Sequence, residues 1–156
     1  MSAHADPGVL DGYGSIGAAA ARQVATAAIA EGHRNGWTVA VAIVDRAGDL
    51  VVFERIDDTQ PGSVRIAQAK ARTASRFRRP TKVFEDSLHG GRAAVLGLPD
   101  VLPLEGGIPL IIDGKIAGAI GVSGATSQQD GVCAQAGADM FGKLAGLRPG
   151  ESPTEH

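Results

Sequence analysis

The chain has 156 residues, 44% of them hydrophobic, and a formal net charge of −2, which suits one globular domain long enough to bury a core. No apolar run reaches the roughly 18 residues of a membrane span, and the opening MSAHADPGVLDGYG lacks the basic and apolar regions of a signal peptide. A single cysteine, Cys133, cannot close an internal disulfide, so the expected location is a reducing one, the cytoplasm.

Residues 1–14 and 149–156 are rich in Gly, Pro, Ser and acids and are expected as flexible tails around one domain at 15–148. Ser15 can cap a helix running to about Asn35, with Ile16, Ala20, Val24 and Ala27/Ala28 on one face and Asn35-Gly36 as its stop. Thr38 to Asp45 and Leu50 to Arg55 read as strands joined by a short glycine-containing loop. Pro61-Gly62-Ser63 opens a second helix that ends at Pro80, with Val64, Ala67, Ala71 and Ala74 as its buried stripe. Thr81 to about Leu88 reads as a short helix or turn, and 89–107 as mostly loop. Two apolar runs around Asp113-Gly114 then predict a hairpin, because both turn residues tolerate positive φ. Ser127-Gln-Gln-Asp130 resembles a capping box and leads a helix to Leu144 with Cys133, Ala136, Met140 and Leu144 inward. Strands paired through short loops run antiparallel, so a small antiparallel sheet with helices packed on it is expected.

Two patterns stand out along this frame. The hairpin carries Gly106, Gly107, Gly118, Gly121 and Gly124, which remove side chains from strands. Either a helix packs closely on the sheet there, or the backbone forms a ligand lip. Between Thr59 and Phe84 there is no acid, while seven of the 15 basic residues fall there, Arg65, Lys70, Arg72 and Arg76 among them. Such a block suggests an anionic small molecule or the acids of a second subunit. Nucleic acid fits poorly, since the pI is about 6.0 and aromatics are only 4%.

The candidate site follows from these patterns. Arg55 and Asp57 leave a strand end, Arg65 and Lys70 lie on the next helix, and Arg binds carboxylates through its bidentate fork. Gly106 and Gly107 would leave backbone N–H groups within reach. Ser123 and Thr126 precede a helix N-terminus, where the alternative is a plain cap and turn. Of the four histidines, His4 and His156 are in the tails and none has metal-ligand spacing to another. His33 sits at a helix end, where a charge-dipole role is the default. His89, before Gly90-Gly91, is the central histidine in a loop. Cys133 reads as an inert buried thiol.

The segments VAIVDRAGDLVVFERID, SVRIAQAKARTA, GGIPLIIDGKIAGAIGVSGA and QQDGVCAQAG together resemble the GlcG/HbpS family of haem-degrading domains, related to the C-terminal domain of PduO-type proteins. The resemblance spans about Ser15 to Leu144. It implies an α/β (α+β), profilin-like antiparallel sheet of about five strands flanked by helices, and homo-oligomers from dimer to octamer. It also implies binding of haem or a related tetrapyrrole; from the chain's own inventory of donors, His89 is the candidate iron donor ahead of His33, Met140 and Tyr13. Two departures are visible. Family members often read Arg-Met-Asp-Gly-Ala where this chain has Arg55-Ile56-Asp57-Asp58-Thr59, and Val101 to Glu105 offers no His, Tyr or Thr. The competing readings are an enzyme or accessory protein acting on a small carboxylated metabolite in a catabolic pathway, and a structural oligomer subunit.

Overall fold

A computed structural model describes residues 8–146. The elements are α1 (Ala18–Asn35), β1 (Ala40–Asp45), β2 (Leu50–Arg55), α2 (Ser63–Phe77), α3 (Thr81–His89), a 3-10 turn at Ala93–Gly97, β3 (Gly107–Ile112), β4 (Lys115–Ser123) and α4 (Ser127–Leu144). The strands form one antiparallel sheet in the order β2-β1-β4-β3. It has four strands where the resemblance implies about five. The stretch after α3 does not supply another, because its backbone is claimed by side chains. Leu102 N donates to Thr73 Oγ1 at 3.0 Å, and Glu105 N donates to Glu85 Oε1 at 3.2 Å. Near the N-terminus the only pairing among the described residues is an isolated Leu10–Ile16 bridge.

Local signals explain most element boundaries. Asp113 (φ 52°) and Gly114 (φ 73°) both take the left-handed conformation that a two-residue hairpin turn needs. Gly36, at φ 74°, closes α1 and donates to Gly32 O and His33 O. The start of α1 differs from expectation: Gly17 is the N-cap, without a side-chain cap. Ser15 instead turns inward and its hydroxyl accepts from Arg46 N at 3.2 Å. Val9, placed by the sequence in the N-terminal tail, is buried. The remaining tail residues 1–7 and 149–156 lie outside the described residues.

The two sheet faces are built differently. Val41, Ile43, Ile120 and Val122 face a core shared with α1 and α4. Ala40, Ala42, Val44 and Ala119 face α2, which answers with Ala67, Ala71 and Ala74. Pairing register aligns Phe53, Ala42, Gly121 and Gly107 in one row across all four strands. A Cβ on Gly121 would run into Ala67 O and Ala71 N of α2, and one on Gly107 into Lys70 O and Thr81 Cγ2. The helix backbone therefore lies directly on the sheet, and at these positions close packing, not an open lip, explains the glycines.

Two buried faces shift from the expected residues. On α4 the inward side chains are Cys133, Ala134 and Phe141, with Gly137 against Ile120 and Val24. Ala136 and Met140 are half-buried beside Ala27 and Ala30 in an opening of about 360 Å³ between α1 and α4. The seam rotates because α4 must satisfy both the sheet and α1. On α2, Val64 is only half-buried, and the polar Ser63, Lys70, Thr73 and Ser75 are buried. Gly121→Val should cost about 3 kcal/mol or more by forcing α2 off the sheet. Gly62→Ala, at φ −58° with nothing near its Cβ position, should leave stability unchanged or slightly raised. Equal urea midpoints for the two variants would remove the packing explanation.

Candidate functional site

The antiparallel order brings one set of chain ends together. β2 and β4 finish, and β1 and β3 begin, at the same end of the sheet, where α2 and α4 also start. Register places Arg55, Ala40 and Ser123 in one row there. The buried Ser123 hydroxyl meets Ser63 Oγ of α2 at 3.1 Å, and Gln60 Nε2 donates to the same Ser63 oxygen at 3.1 Å. The first turn of α2 holds no acid and has no side-chain cap, and it carries the exposed Arg65. Backbone carbonyls take its first donors, Ser63 N to Gln60 O at 3.1 Å and Val64 N to Pro61 O at 3.2 Å, and no acid of the turn offsets its partial positive charge.

The residues singled out by sequence divide into two sets. Arg55, Asp57, Arg65 and Thr126 are exposed at this end. Thr126 is the N-cap of α4 in a complete capping box with Gln129, so the cap reading of this residue holds. Lys70, Gly106, Gly107 and Ser123 are buried beneath. Lys70, 1% exposed, does not offer its charge to solvent as the sequence suggests. Its ammonium donates to Asp130 Oδ2 at 2.9 Å and to Val122 O at 3.0 Å. Asp130 Oδ1 accepts from Ala125 N at 2.9 Å. Gly107 N donates to Thr81 Oγ1 at 2.9 Å. His89 is exposed at the C-terminus of α3, His33 and Tyr13 are exposed, and Met140 is half-buried.

Sequence reading missed Asp130, Ser63 and Thr81. A signal existed for the pair: Lys70 follows Ala67 by three residues, on the apolar stripe, and Asp130 precedes Cys133 by three. Burial pushes the Asp130 carboxyl above its ordinary range, while Lys70 and the Ala125 amide pull it back. Glu105, beside Gly106 and against Gly131, is likewise raised by burial, with Lys82 opposing. Among the described residues no cluster of three or more His, Cys, Asp or Glu could hold a metal ion.

The family model described as "Haem degrading protein HbpS-like" matches residues 16–139. The chain belongs to the HbpS-like family. Protein GlcG of Escherichia coli K12 is 43% identical over 106 residues, covering 65% of this chain and 79% of that protein. An HbpS double mutant from Streptomyces reticuli superposes with a TM-score of 0.76 at 34% identity, over 86% of this chain and 92% of that one. A structure described as a PduOC:heme complex gives 0.74 at 28% identity, over 81% and 94%.

The turn at Asp58-Thr59 carries a structural cost. Asp58 sits at φ 71°, a conformation that glycine adopts without strain. Thr59 Oγ1 is buried without a hydrogen-bond partner among the described residues. Asp58→Gly and Thr59→Val should each leave stability unchanged or raise it, by up to about 1 kcal/mol; a clear loss in thermal melts for either would mean the turn uses these side chains. Burial also raises the Cys133 thiol from 9.0 to about 11, with Asp130 and Glu31 adding to it. The folded state therefore favours the protonated thiol. This contribution to stability is intact below about pH 9 and is lost as pH rises toward 11. Native protein at pH 8 should not react with a thiol-specific disulfide reagent, and denatured protein should react with one equivalent.

Proposed function

We propose that this protein binds a small anionic ligand with an apolar body, most specifically haem or a related tetrapyrrole, in the cytoplasm. The observation that carries the reading is the match to the haem-complexed PduOC structure over 81% of this chain. Local chemistry supports it at the shared end of the sheet. Arg55 and Arg65, exposed and without a carboxylate partner among the described residues, suit two propionates. The first turn of α2, which holds no acid, adds a favourable field.

The fit has a limit. α2 fills the space at Gly121 and Gly107, so these glycines do not cradle a macrocycle. The ligand lies against the outside of the lip formed by Gly106, Gly107 and the Ser123 to Thr126 loop, above Asp57 and Lys70. His89 is the proposed iron donor, and haem would supply its iron's redox and ligand-binding chemistry when bound. Haemin titration into wild type, Arg55→Ala, Arg65→Ala and His89→Ala checks this. The expected results are about tenfold weaker affinity for each arginine variant and a displaced Soret band for His89→Ala. Unchanged binding in all three rejects the site. No haemin binding by wild type, with binding of a simple aromatic carboxylate that Arg65→Ala abolishes, would favour the metabolite reading.

The proposed assembly is a homo-oligomer. Of Arg72, Arg76 and Arg79, off the sheet-facing stripe of α2 or just past its end, Arg72 and Arg76 lie against the loop at Gly48, and only Arg76 reaches a carboxylate, Asp100, at 3.8 Å among the described residues. Acids of a neighbouring copy are the proposed partners. Light scattering should give at least a dimer at micromolar concentration, weakened by Arg72→Glu; a monomer in moderate salt refutes it.

A further inference from the structure

We infer that the buried Lys70–Asp130 pair is the positioning device of this site, setting the geometry of both sides of the lip. The inference rests on the ligand-binding reading above. On one side, Lys70 Nζ holds Val122 O at 3.0 Å, and Asp130 Oδ1 holds Ala125 N at 2.9 Å. These contacts bracket Ser123 and Gly124, the turn between β4 and α4. On the other side, Gly106 O accepts from Val122 N at 2.9 Å. Gly106 has φ 130°, and a Cβ there would lie 2.8 Å from Lys70 Nζ and 2.7 Å from Val122 O. The β3 side of the lip is thus shaped around the lysine head.

The pair also spans the layers. Lys70 comes from α2 on one face of the sheet, and Asp130 from the first turn of α4, whose body packs on the other. The two side chains are 2% and 3% exposed, so water cannot substitute for either partner. An apolar pair of similar volume could hold the two helices equally well. It could not direct the Ala125 amide or the Val122 carbonyl. Lys70 and Asp130 are therefore positioning residues, acting through the backbone that a ligand would meet and not by touching it.

The test uses the full chain with Asp130→Asn, the double variant Lys70→Met/Asp130→Leu, and Phe141→Leu as a core control far along α4. Amide exchange in unliganded protein comes first. Asp130→Asn should speed exchange at Gly107, Val122 and Ala125 by tenfold or more relative to α1, whereas Phe141→Leu should speed all protected amides together. The double variant should regain melting temperature without regaining lip protection. Haemin titration comes second. Affinity should fall at least tenfold in Asp130→Asn and in the double variant, and stay within twofold in Phe141→Leu. Uniform exchange in Asp130→Asn, or full haemin affinity in the double variant, overturns the inference. Lip-selective exchange in a protein whose wild type binds no haemin sustains the positioning role and sinks only the ligand assignment.

Discussion

The contact of the α2 backbone with the sheet is the constraint from which the other features follow. Gly121 and Gly107 leave no side chain between them and the helix, and the facing residues are alanines. At that separation any longer apolar side chain would push the layers apart. The helix can therefore bury long polar side chains only where they pass its flanks or ends. Lys70 reaches Val122 and Asp130, Thr73 meets the 100–102 loop, and Ser75 donates to Asp45 O at 2.7 Å. Each ties α2 to a different connection, so one helix organises three loops.

The Lys70–Asp130 pair shows why such an arrangement is specific without being strongly stabilising. Removing two charges from water costs several kcal/mol each, and their attraction does little more than repay it. Losing one partner is far worse than losing both, because a lone buried charge remains. The net effect is a fold that tolerates only one relative placement of α2 and the α4 first turn. The loop between Ser123 and Thr126 inherits that placement through two backbone contacts.

Charge is partitioned by the same helix. Its sheet-facing stripe is alanine, its flank holds the buried Lys70 ammonium, and its outer face carries arginines that find few carboxylates among the described residues. The exposed Arg55 reaches the same end of the molecule through strand register, from a residue 10 positions earlier than Arg65. Two cations beside a helix start without acids concentrate positive charge at that end, while the apolar α1–α4 layer lies on the opposite face.

The element order, the hairpin at Asp113-Gly114 and the family were legible in the sequence, because they depend on local conformational preference and on short patterns, whereas the hairpin glycines left close packing and a ligand lip both open until α2 was seen against Gly121. Arg55, Gly107 and Ser123 fall in rows at one end of the sheet through strand register, whereas His89 ends α3. The sequence did not determine which site residues face solvent. Lys70 and Arg65 look alike as sequence, yet one is locked to Asp130 and the other is exposed, since burial depends on how a helix is rotated against its neighbours. The inward face of α4, the four-stranded limit of the sheet and the Lys70–Asp130 contact across 60 residues were decided only by tertiary packing. Each requires two elements distant in the chain to compete for the same space, and no local pattern records the outcome of that competition.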